Sequence, residues 1–358
     1  MPRRRLLALA VALVPVAYLA LWPVDADPEA WSPPEGGELV GAYAVNDGLA
    51  GHTVLHPEYH GAEAVTFDAE GRIVTGLLDG RIVRFAVDGA GAGETLANTG
   101  GRPLGLRYDR GGRLIVADAH RGLLEVGDAG AVKVLVDTHG GKPIRFCDDL
   151  AIAGDGTIYF SDASFLRSVE EWRVEVIEHR PNGRLLAYHP ERGETTLVLG
   201  DLYFANGVAL GPDEASVVVT ELSSYRVTRV WLAGPKKGEH EVLIDDLPGF
   251  PDNITYSPER GAYWIALGSP RNGLVDGLSG WPGLRKAVLR LPEALQPAPV
   301  KHAIAVAVDD TGKVVAAPQY VDPSAYSPVS SVLEREGWLY LGSFAGDGVA
   351  KVKAPGVG

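Results

Sequence analysis

The sequence contains a single cysteine, Cys147, and no surplus of positive charge. One cysteine excludes an intrachain disulfide framework. Cys147 is either a nucleophile or a small buried side chain next to Phe146, and we favour the second interpretation. The formal net charge of −13 excludes the basic face that nucleic-acid binding requires, so no nucleic-acid partner is expected. Glycine and proline are not gathered into one tract, which excludes a disordered low-complexity protein.

Long apolar runs are also absent, except at the N-terminus. Residues 6–24 form an uncharged stretch of 19 residues that follows Arg3, Arg4 and Arg5. This length is close to the ~20 residues that cross a bilayer as a helix, and the basic cluster predicts that the N-terminus stays inside. We favour an uncleaved anchor over a cleaved signal peptide, for which residues 24–26 are a mediocre site. The protein is expected on the extracytoplasmic side, in the periplasm or at the cell exterior. It is a single-pass membrane protein, or secreted if the segment is cleaved.

The rest of the chain predicts one all-β domain after a short spacer. The predicted parts are a signal-anchor or signal peptide at 1–26, a spacer at 27–38 and a folded domain at 39–358. Within the domain one motif occurs six times, and it consists of a glycine-containing turn followed by a strand rich in Val, Ile, Leu and Tyr. The six copies lie at residues 71–76, 112–117, 156–161, 215–220, 261–266 and 337–342. Repeats about 40–50 residues apart are typical of propeller blades. We therefore predict a six-bladed β-propeller, with a β-sandwich as the alternative.

Four polar clusters stand in matching positions shortly before these repeated strands, which we take to be the innermost strands of the blades. The clusters are Glu63 on blade one, Asp148 with Asp149 on blade three, Asn206 on blade four, and Asp252 with Asn253 on blade five. Because the inner strands of a propeller meet at its axis, these side chains are expected to converge. Carboxylate and amide oxygens are the ligands of calcium, whereas zinc or copper would require His or Cys. The alternative is that these residues only form turns.

Several short sequence motifs resemble those of the strictosidine synthase-like and adipocyte plasma membrane-associated protein family. They are found at residues 101–106, 117–123, 183–188, 247–254, 269–272 and 284–286. The resemblance covers roughly residues 39–353. More distantly, the polar clusters are similar to those of paraoxonases, gluconolactonases and diisopropylfluorophosphatase, which are six-bladed calcium-dependent hydrolases.

The resemblance implies a ligand set and a catalytic residue. The wider group uses a Glu, two Asn and an Asp, which Glu63, Asn206 and Asp252 match, whereas Asp148 stands where an Asn is common. Asp252 would act as nucleophile or as base, and Asn253 and Asp149 would be additional ligands or neighbours of the ligands. His120 is the only plausible relative of the histidines that paraoxonases are thought to use.

Two segments interrupt the blade pattern. Around residues 165–181, Ser168 followed by acidic residues predicts a short helix, which either covers the pocket with Phe165 and Trp172 or covers a blade edge. The insertion at 269–296 carries apolar residues, Leu274, Leu278, Trp281 and Leu284, spaced to pack on the barrel or to lie on a membrane; packing is favoured.

The favoured function is a calcium-dependent hydrolase of small esters or lactones, of the arylesterase or lactonase type. The membrane is expected to be contacted only through the N-terminal segment. One alternative is a non-catalytic propeller that keeps calcium for stability and binds a partner. Another is a condensing enzyme of the strictosidine synthase type, which is disfavoured because no acid occurs between residues 326 and 333 and the first is Glu334.

Overall fold

The computed structural model describes residue 14 and residues 17–356. Six antiparallel sheets of four or five strands are arranged around one axis, as predicted, and form the six blades of a β-propeller. The first strands of neighbouring blades contact one another around that axis, which identifies them as the innermost strands.

In each blade the strands follow one another from the axis outward. Blade one contains β2 (Val65–Phe67), β3 (Ile73–Gly76), β4 (Arg81–Phe85) and β5 (Glu94–Asn98), and blade two β6 (Pro103–Tyr108), β7 (Leu114–Asp118), β8 (Gly122–Val126) and β9 (Val132–Val136). Blade three contains β12 (Cys147–Ile152), β13 (Ile158–Asp162), β14 (Gly183–His189) and β15 (Glu194–Leu202), and blade four β16 (Ala205–Leu210), β17 (Ser216–Glu221), β18 (Arg226–Trp231) and β19 (His240–Ile244). Blade five contains β20 (Gly249–Ser257), β21 (Ala262–Pro270), β22 (Ala303–Asp309), β23 (Val314–Ala316) and β24 (Gln319–Tyr320). Blade six contains β25 (Ser331–Arg335), β26 (Trp338–Gly342), β27 (Asp347–Lys353) and, outermost, β1 (Thr53–His60). A separate hairpin is formed by β10 (Thr138–His139) and β11 (Lys142–Pro143).

The repeated strand of the sequence is the second strand of each blade, so its interpretation as the innermost strand was wrong. Gly71, Gly112 and Gly156 lie in the turns that join the first strand of a blade to the second, each with a positive φ. The second strand is buried between its neighbours and reads as a continuous apolar run. On blades three, four and five the polar clusters lie on the innermost strands themselves. They interrupt the apolar pattern of those strands, which makes the innermost strands hard to recognise in the sequence.

The ring is closed by strands from the two ends of the domain. β1 pairs antiparallel with β27, with Thr53 opposite Lys351 and Leu55 opposite Val349. The last blade therefore takes three strands from the C-terminal end and one from the N-terminal end. This arrangement leaves the ring without a free edge between its first and last blades.

Two segments rise above one end of the propeller. The first is the segment at residues 165–181, in which the backbone N–H of Ser168 donates to Glu171 Oε2 at 3.1 Å and the chain then forms α1 (Trp172–Glu178). The second, residues 269–300, carries α2 (Gly273–Gly277) and α3 (Pro282–Val288). Buried Ile177 of α1 packs against Val275 and Val288 of the second segment. We call these two segments together the roof.

The residues before β1 lie against the roof. Residues 17–21 are helical and residues 23–37 contain no helix or strand. Trp31 stacks on His179 with ring centroids 3.8 Å apart, and Arg180 binds Asp27 and Glu29, each at 2.6 Å. Much of the predicted segment at 1–26 lies outside the described residues. Within the described residues, none of the helices has both the length and the hydropathy needed to span a bilayer.

Candidate metal centre and pocket

The four polar clusters come together at the axis, at the roof end of the propeller. Glu63 lies two residues before β2, and Asp148, Asn206 and Asp252 lie near the starts of β12, β16 and β20. The pairing of each of these three strands with the second strand of its blade shifts register next to the polar residue. Such bulges re-aim side chains, and here they direct them into the axial funnel.

A glycine next to one of these residues lets the inner strands approach closely. A Cβ on Gly207 would lie 2.3 Å from the backbone nitrogen of Ile254 and 2.6 Å from the Cα of Asn253. No side chain fits there, so glycine is required where β16 passes β20. This close approach of β16 and β20 brings the side chains of Asn206 and Asp252 near each other at the axis.

The three carboxylates form a compact buried cluster. One oxygen of each of Glu63, Asp148 and Asp252 lies within 4.8 Å of the others, and all three residues are buried. Nδ2 of Asn206 donates to Asp148 Oδ2 at 3.2 Å. Burial raises the pKa of Glu63 to about 7, and the nearby charge of Asp149 adds to the rise. Burial, with the repulsion of Glu63, also raises the pKa values of Asp148 and Asp252. A cluster of this kind is unfavourable without a cation.

The oxygens of the cluster fit a calcium ion. Asp148 Oδ1, Asn206 Oδ1 and Asn253 Oδ1 are buried and have no hydrogen-bond partner among the described residues. Buried polar atoms normally have partners, and unsatisfied oxygens beside three carboxylates form a donor set that is compatible with a metal cation. Calcium takes six to eight oxygen donors of the carboxylate and amide kind, and this is the donor set present.

Arg102, which the sequence analysis did not identify, places a cation at the floor of the pocket. Its Nη2 lies 3.6 Å from Glu63 Oε2, and its guanidinium donates to the carbonyls of Gly61 at 3.0 Å and Phe344 at 3.1 Å. Burial lowers its pKa while the charge of Glu63 opposes that effect. Arg102 is the second residue of the family motif at residues 101–106, but the sequence does not show that it binds the carbonyls of Gly61 and Phe344.

Acidic residues at the ends of the second strands hold the inner strands in place. Asp118, Asp162 and Glu221 end β7, β13 and β17, and they accept the backbone N–H groups of Arg102, Phe146 and Tyr203 at 3.0, 3.1 and 3.2 Å. Each acceptor thus fixes the chain just before the inner strand of its own blade. The sequence carries a signal for them that was overlooked, since each acid directly follows the repeated apolar strand.

A cavity of about 420 Å³ extends from the carboxylate cluster to the roof. Its floor is polar, with Glu63, Asp148, Asn206, Asp252 and Arg102. Its walls are mainly apolar and come from both the blades and the roof: Leu104, Phe146, Phe204, Leu222, Phe250, Trp172, Val176, Ile177, Val275, Val288 and Phe344. The cavity therefore offers charged groups at one end and an apolar space above them.

The remaining predicted site residues divide between the cavity and its surroundings. Trp172 lines the cavity, and His120 lies at its half-exposed rim with Nε2 2.6 Å from Glu170 Oε1. Phe165 lies outside the cavity, where its ring is covered by Lys142 at 3.5 Å. Asp149 is buried behind the floor, where it accepts the Val208 N–H at 3.0 Å and so joins blade three to blade four.

Two further residues named in the sequence analysis do not line the cavity. Asn253 is buried beside Asp252, and neither its Oδ1 nor its Nδ2 has a hydrogen-bond partner among the described residues. Glu334, the first acid of the last inner strand, pairs with Arg260 at 2.6 Å and does not line the cavity. It therefore supplies no acid for condensation chemistry.

Sequence comparison identifies close relatives along most of the chain. The strictosidine synthase profile matches residues 148–235, and the profile described as strictosidine synthase-like, N-terminal, matches residues 41–85. The adipocyte plasma membrane-associated protein of Rattus norvegicus is 32% identical over 361 residues, covering 95% of this chain and 96% of that protein. The strictosidine synthase-like 6 protein of Arabidopsis thaliana is 34% identical over 278 residues, covering 76% of this chain and 73% of that protein.

Solved structures share the fold at low sequence identity. A gluconolactonase from Xanthomonas campestris superimposes with a TM-score of 0.62 at 18% identity, covering 94% of this chain and 99% of that one. Regucalcin from Agrobacterium tumefaciens, described as a calcium-binding protein, gives a TM-score of 0.56 at 16% identity, covering 82% of this chain and 85% of that one. At these identities the likeness establishes the propeller fold.

Proposed function

Because the chain belongs to the strictosidine synthase-like family, and its fold is that of gluconolactonase-type propellers, we propose that it is a calcium-dependent hydrolase of small esters or lactones. The observation that carries the proposal is the buried cluster of three carboxylates and unsatisfied oxygens at the floor of an apolar cavity. A charged floor beneath an apolar cavity is suited to reactions in which negative charge develops on one oxygen of an otherwise apolar substrate.

Four residues of the floor would hold the ion, and these are Glu63, Asp148, Asn206 and Asp252. Calcium bound there would polarise the carbonyl of the substrate and stabilise the oxyanion that forms on it. Arg102 balances part of the charge of Glu63 and keeps the floor from accumulating excess negative charge. The apolar walls exclude water from the rest of the cavity, which strengthens these electrostatic interactions.

Asp252 is the residue we assign to the chemical step. Its carboxylate lies in the cluster and lines the cavity, so it reaches both the ion and the substrate. As a base it would take a proton from the water that attacks the carbonyl carbon, after which the bond to the leaving oxygen breaks. As a nucleophile it would attack that carbon itself and form an acyl intermediate that water then hydrolyses. His120 at the rim would contact the leaving group in either case.

The proposal draws support from what the neighbours are described as doing. A gluconolactonase and a luciferin-regenerating enzyme have the same fold, and regucalcin is described as binding calcium. The wall of this cavity is dominated by Phe, Leu, Ile and Val side chains, which favours aryl or alkyl groups over a polyhydroxylated ring.

The test is hydrolysis of aryl esters and aliphatic lactones by the detergent-solubilised full chain, first with calcium and then with chelator. We expect activity that disappears on chelation and returns with calcium. A thermal melt in parallel should fall on chelation, because an ion present at 100 times its Kd stabilises the fold by about 2.7 kcal/mol. If the melting temperature falls but no substrate is turned over, the ion is structural and the hydrolase proposal fails.

A further inference from the structure

The insertion that forms the larger part of the roof has two apolar sides. On the inner side Val275 and Val288 are buried and line the cavity. On the outer side four large apolar side chains are 50–65% exposed: Leu274, Trp281, Leu284 and Leu295. The sequence analysis expected Leu274, Leu278, Trp281 and Leu284 to pack on the barrel or to lie on a membrane, and favoured packing. Only Leu278 of the four packs in a cluster of buried residues, with Ile177, Val275 and Val288 of the roof. Packing on the barrel therefore does not account for the others.

The N-terminal segment reaches the same insertion. Arg290, just after α3, donates from Nε to the carbonyl of Trp22 at 2.6 Å and from Nη1 to the carbonyl of Leu19 at 2.7 Å. Leu21 and Trp22 themselves are 77% and 56% exposed. The uncharged run of residues 6–24 is thus joined to the roof at the point where its last residues are still apolar and uncovered.

Charge on the insertion differs from charge on the rest of the chain. Residues 269–300 contain four basic residues, Arg271, Arg285, Lys286 and Arg290, against two acidic ones, Asp276 and Glu293, whereas the whole chain has a net charge of −13. Arg285 is buried and Arg271 lies beside Asp246, so Lys286 and Arg290 are the basic residues of this segment that are partly exposed and in no ion pair among the described residues. Exposed Trp and Leu beside such basic groups are typical of surfaces that lie in the interface of an anionic bilayer.

We propose that the outer side of the insertion and residues 18–22 form one membrane-docking surface, so that the roof of the pocket rests on the bilayer. The bilayer is the occupant that these observations favour, because residues 18–22 end an uncharged run long enough to enter it and are held against the insertion by Arg290. This extends membrane contact beyond the N-terminal segment. It also places the apolar cavity beside the acyl region, from which lipophilic substrates would enter, and it does not depend on the hydrolase proposal.

The test uses the full chain with one added cysteine. Cys147 is the only native cysteine and is buried, so a thiol-reactive fluorophore labels an added one selectively. Leu284→Cys places the label on the docking surface, and Leu197→Cys on β15 is the matched control, since the two side chains are 52% and 53% exposed. Leu274→Cys provides a second position on the surface. Each protein is reconstituted into vesicles of phosphatidylcholine and phosphatidylglycerol that contain doxyl-labelled lipid.

We expect doxyl lipid to quench the labels at 284 and 274 about threefold more than the label at 197, because interfacial segments enter the headgroup and acyl boundary. Iodide in the water should show the opposite preference. Equal quenching at all three positions would overturn the proposal, since the N-terminal segment alone would then hold the protein. Protection of 284 from iodide without quenching by lipid would also overturn it, because a second protein chain would then cover the surface.

Discussion

The floor and the roof of the pocket are built in different ways. The floor is made by the repeat, since its polar residues come from similar places on four different blades and are buried. Three of them, Asp148, Asn206 and Asp252, lie in a bulge of the inner strand, and Glu63 lies just before its inner strand. The roof is made by two segments that break the repeat, and it is held by contacts that the repeat does not supply, such as the stacking of Trp31 on His179. The ring thus supplies the polar floor of the pocket, whereas the two interrupting segments supply part of its apolar wall.

The two regions also differ in how they contribute to stability. The floor gathers three carboxylates whose burial raises the pKa of Glu63 and disfavours their charged forms. The roof contains a buried ion pair, in which Arg167 binds Glu178 at 2.7 Å. Breaking such a pair costs far more than breaking an exposed one. We therefore expect changes in the floor to act mainly on activity and changes in the roof mainly on stability and substrate affinity.

The largest effect is expected within the floor itself. Asp252→Asn should lower kcat by about 10²–10⁴-fold, because it removes the group that handles the proton or attacks the substrate. Asp148→Asn is the matched control, since it removes the same charge from the same cluster but leaves an oxygen donor for calcium. It should lower kcat by less than about tenfold. The measurement is steady-state kinetics of both variants, with the calcium content of each protein determined in parallel. Equal losses of kcat in Asp252→Asn and Asp148→Asn would refute the role of Asp252.

A smaller effect, in the roof, concerns pH. Burial raises the pKa of Glu175 from 4.5 to about 7, although Ser164 and Asn182 hydrogen-bond to its carboxylate, and Glu178 adds to the rise while Arg167 opposes it. Between these pH values the folded state keeps a proton that the unfolded chain has lost. The contribution of Glu175 to stability is therefore fully present below pH 4.5 and is lost as the pH rises to about 7, a change of roughly 3 kcal/mol at full effect.

Glu175→Gln should remove that part of the pH dependence. Urea unfolding of the calcium-loaded protein at pH 5 and at pH 8 would measure it, with the variant losing less free energy of unfolding than the wild type between the two. The exposed Glu191→Gln is the control and should keep the slope of the wild type. A variant with the wild-type slope would show that Glu175 is ionised in the folded protein throughout.

The smallest effect tests whether the roof contacts the substrate. Trp172→Ala should raise KM for an aryl ester about fivefold to tenfold, equivalent to about 1–1.4 kcal/mol, with little change in kcat. Phe165→Ala is the matched control, because Phe165 belongs to the same segment but lies outside the cavity under Lys142. The control should leave KM unchanged. Equal changes for both would mean that the segment matters only for folding.

The floor could be predicted from the sequence and the roof could not, for a physical reason. Glu63, Asp148, Asn206 and Asp252 stand in a similar local context, and the propeller topology alone brings equivalent positions together. Arg102 lacked such a context, since its partners are the carbonyls of Gly61 and Phe344, 41 and 242 residues away. The repeat itself was recognised, but its strand was placed one position too close to the axis because the polar residues interrupt the true inner strand.

The contacts of the roof depend on loops whose paths no periodicity determines. Phe165 and Trp172 are both aromatic and lie only seven residues apart, yet one contacts a lysine and the other lines the cavity. The helix after Ser168 was predictable from local capping chemistry. Its position above the cavity was not, because that follows from side chains such as Ile177 meeting an insertion about a hundred residues further on.

The ring can close only after the C-terminal strands of the domain have been synthesised. β1 is made first, but its partner β27 begins only at Asp347, so about 290 residues must be synthesised before the two can pair. At about 5–20 residues per second the wait is roughly 15–60 s. During that interval β1 is an open strand edge, and its Pro57 and Glu58 are residues of the kind that discourage pairing with other chains. The same strand that completes the mature ring must therefore stay unpaired during synthesis.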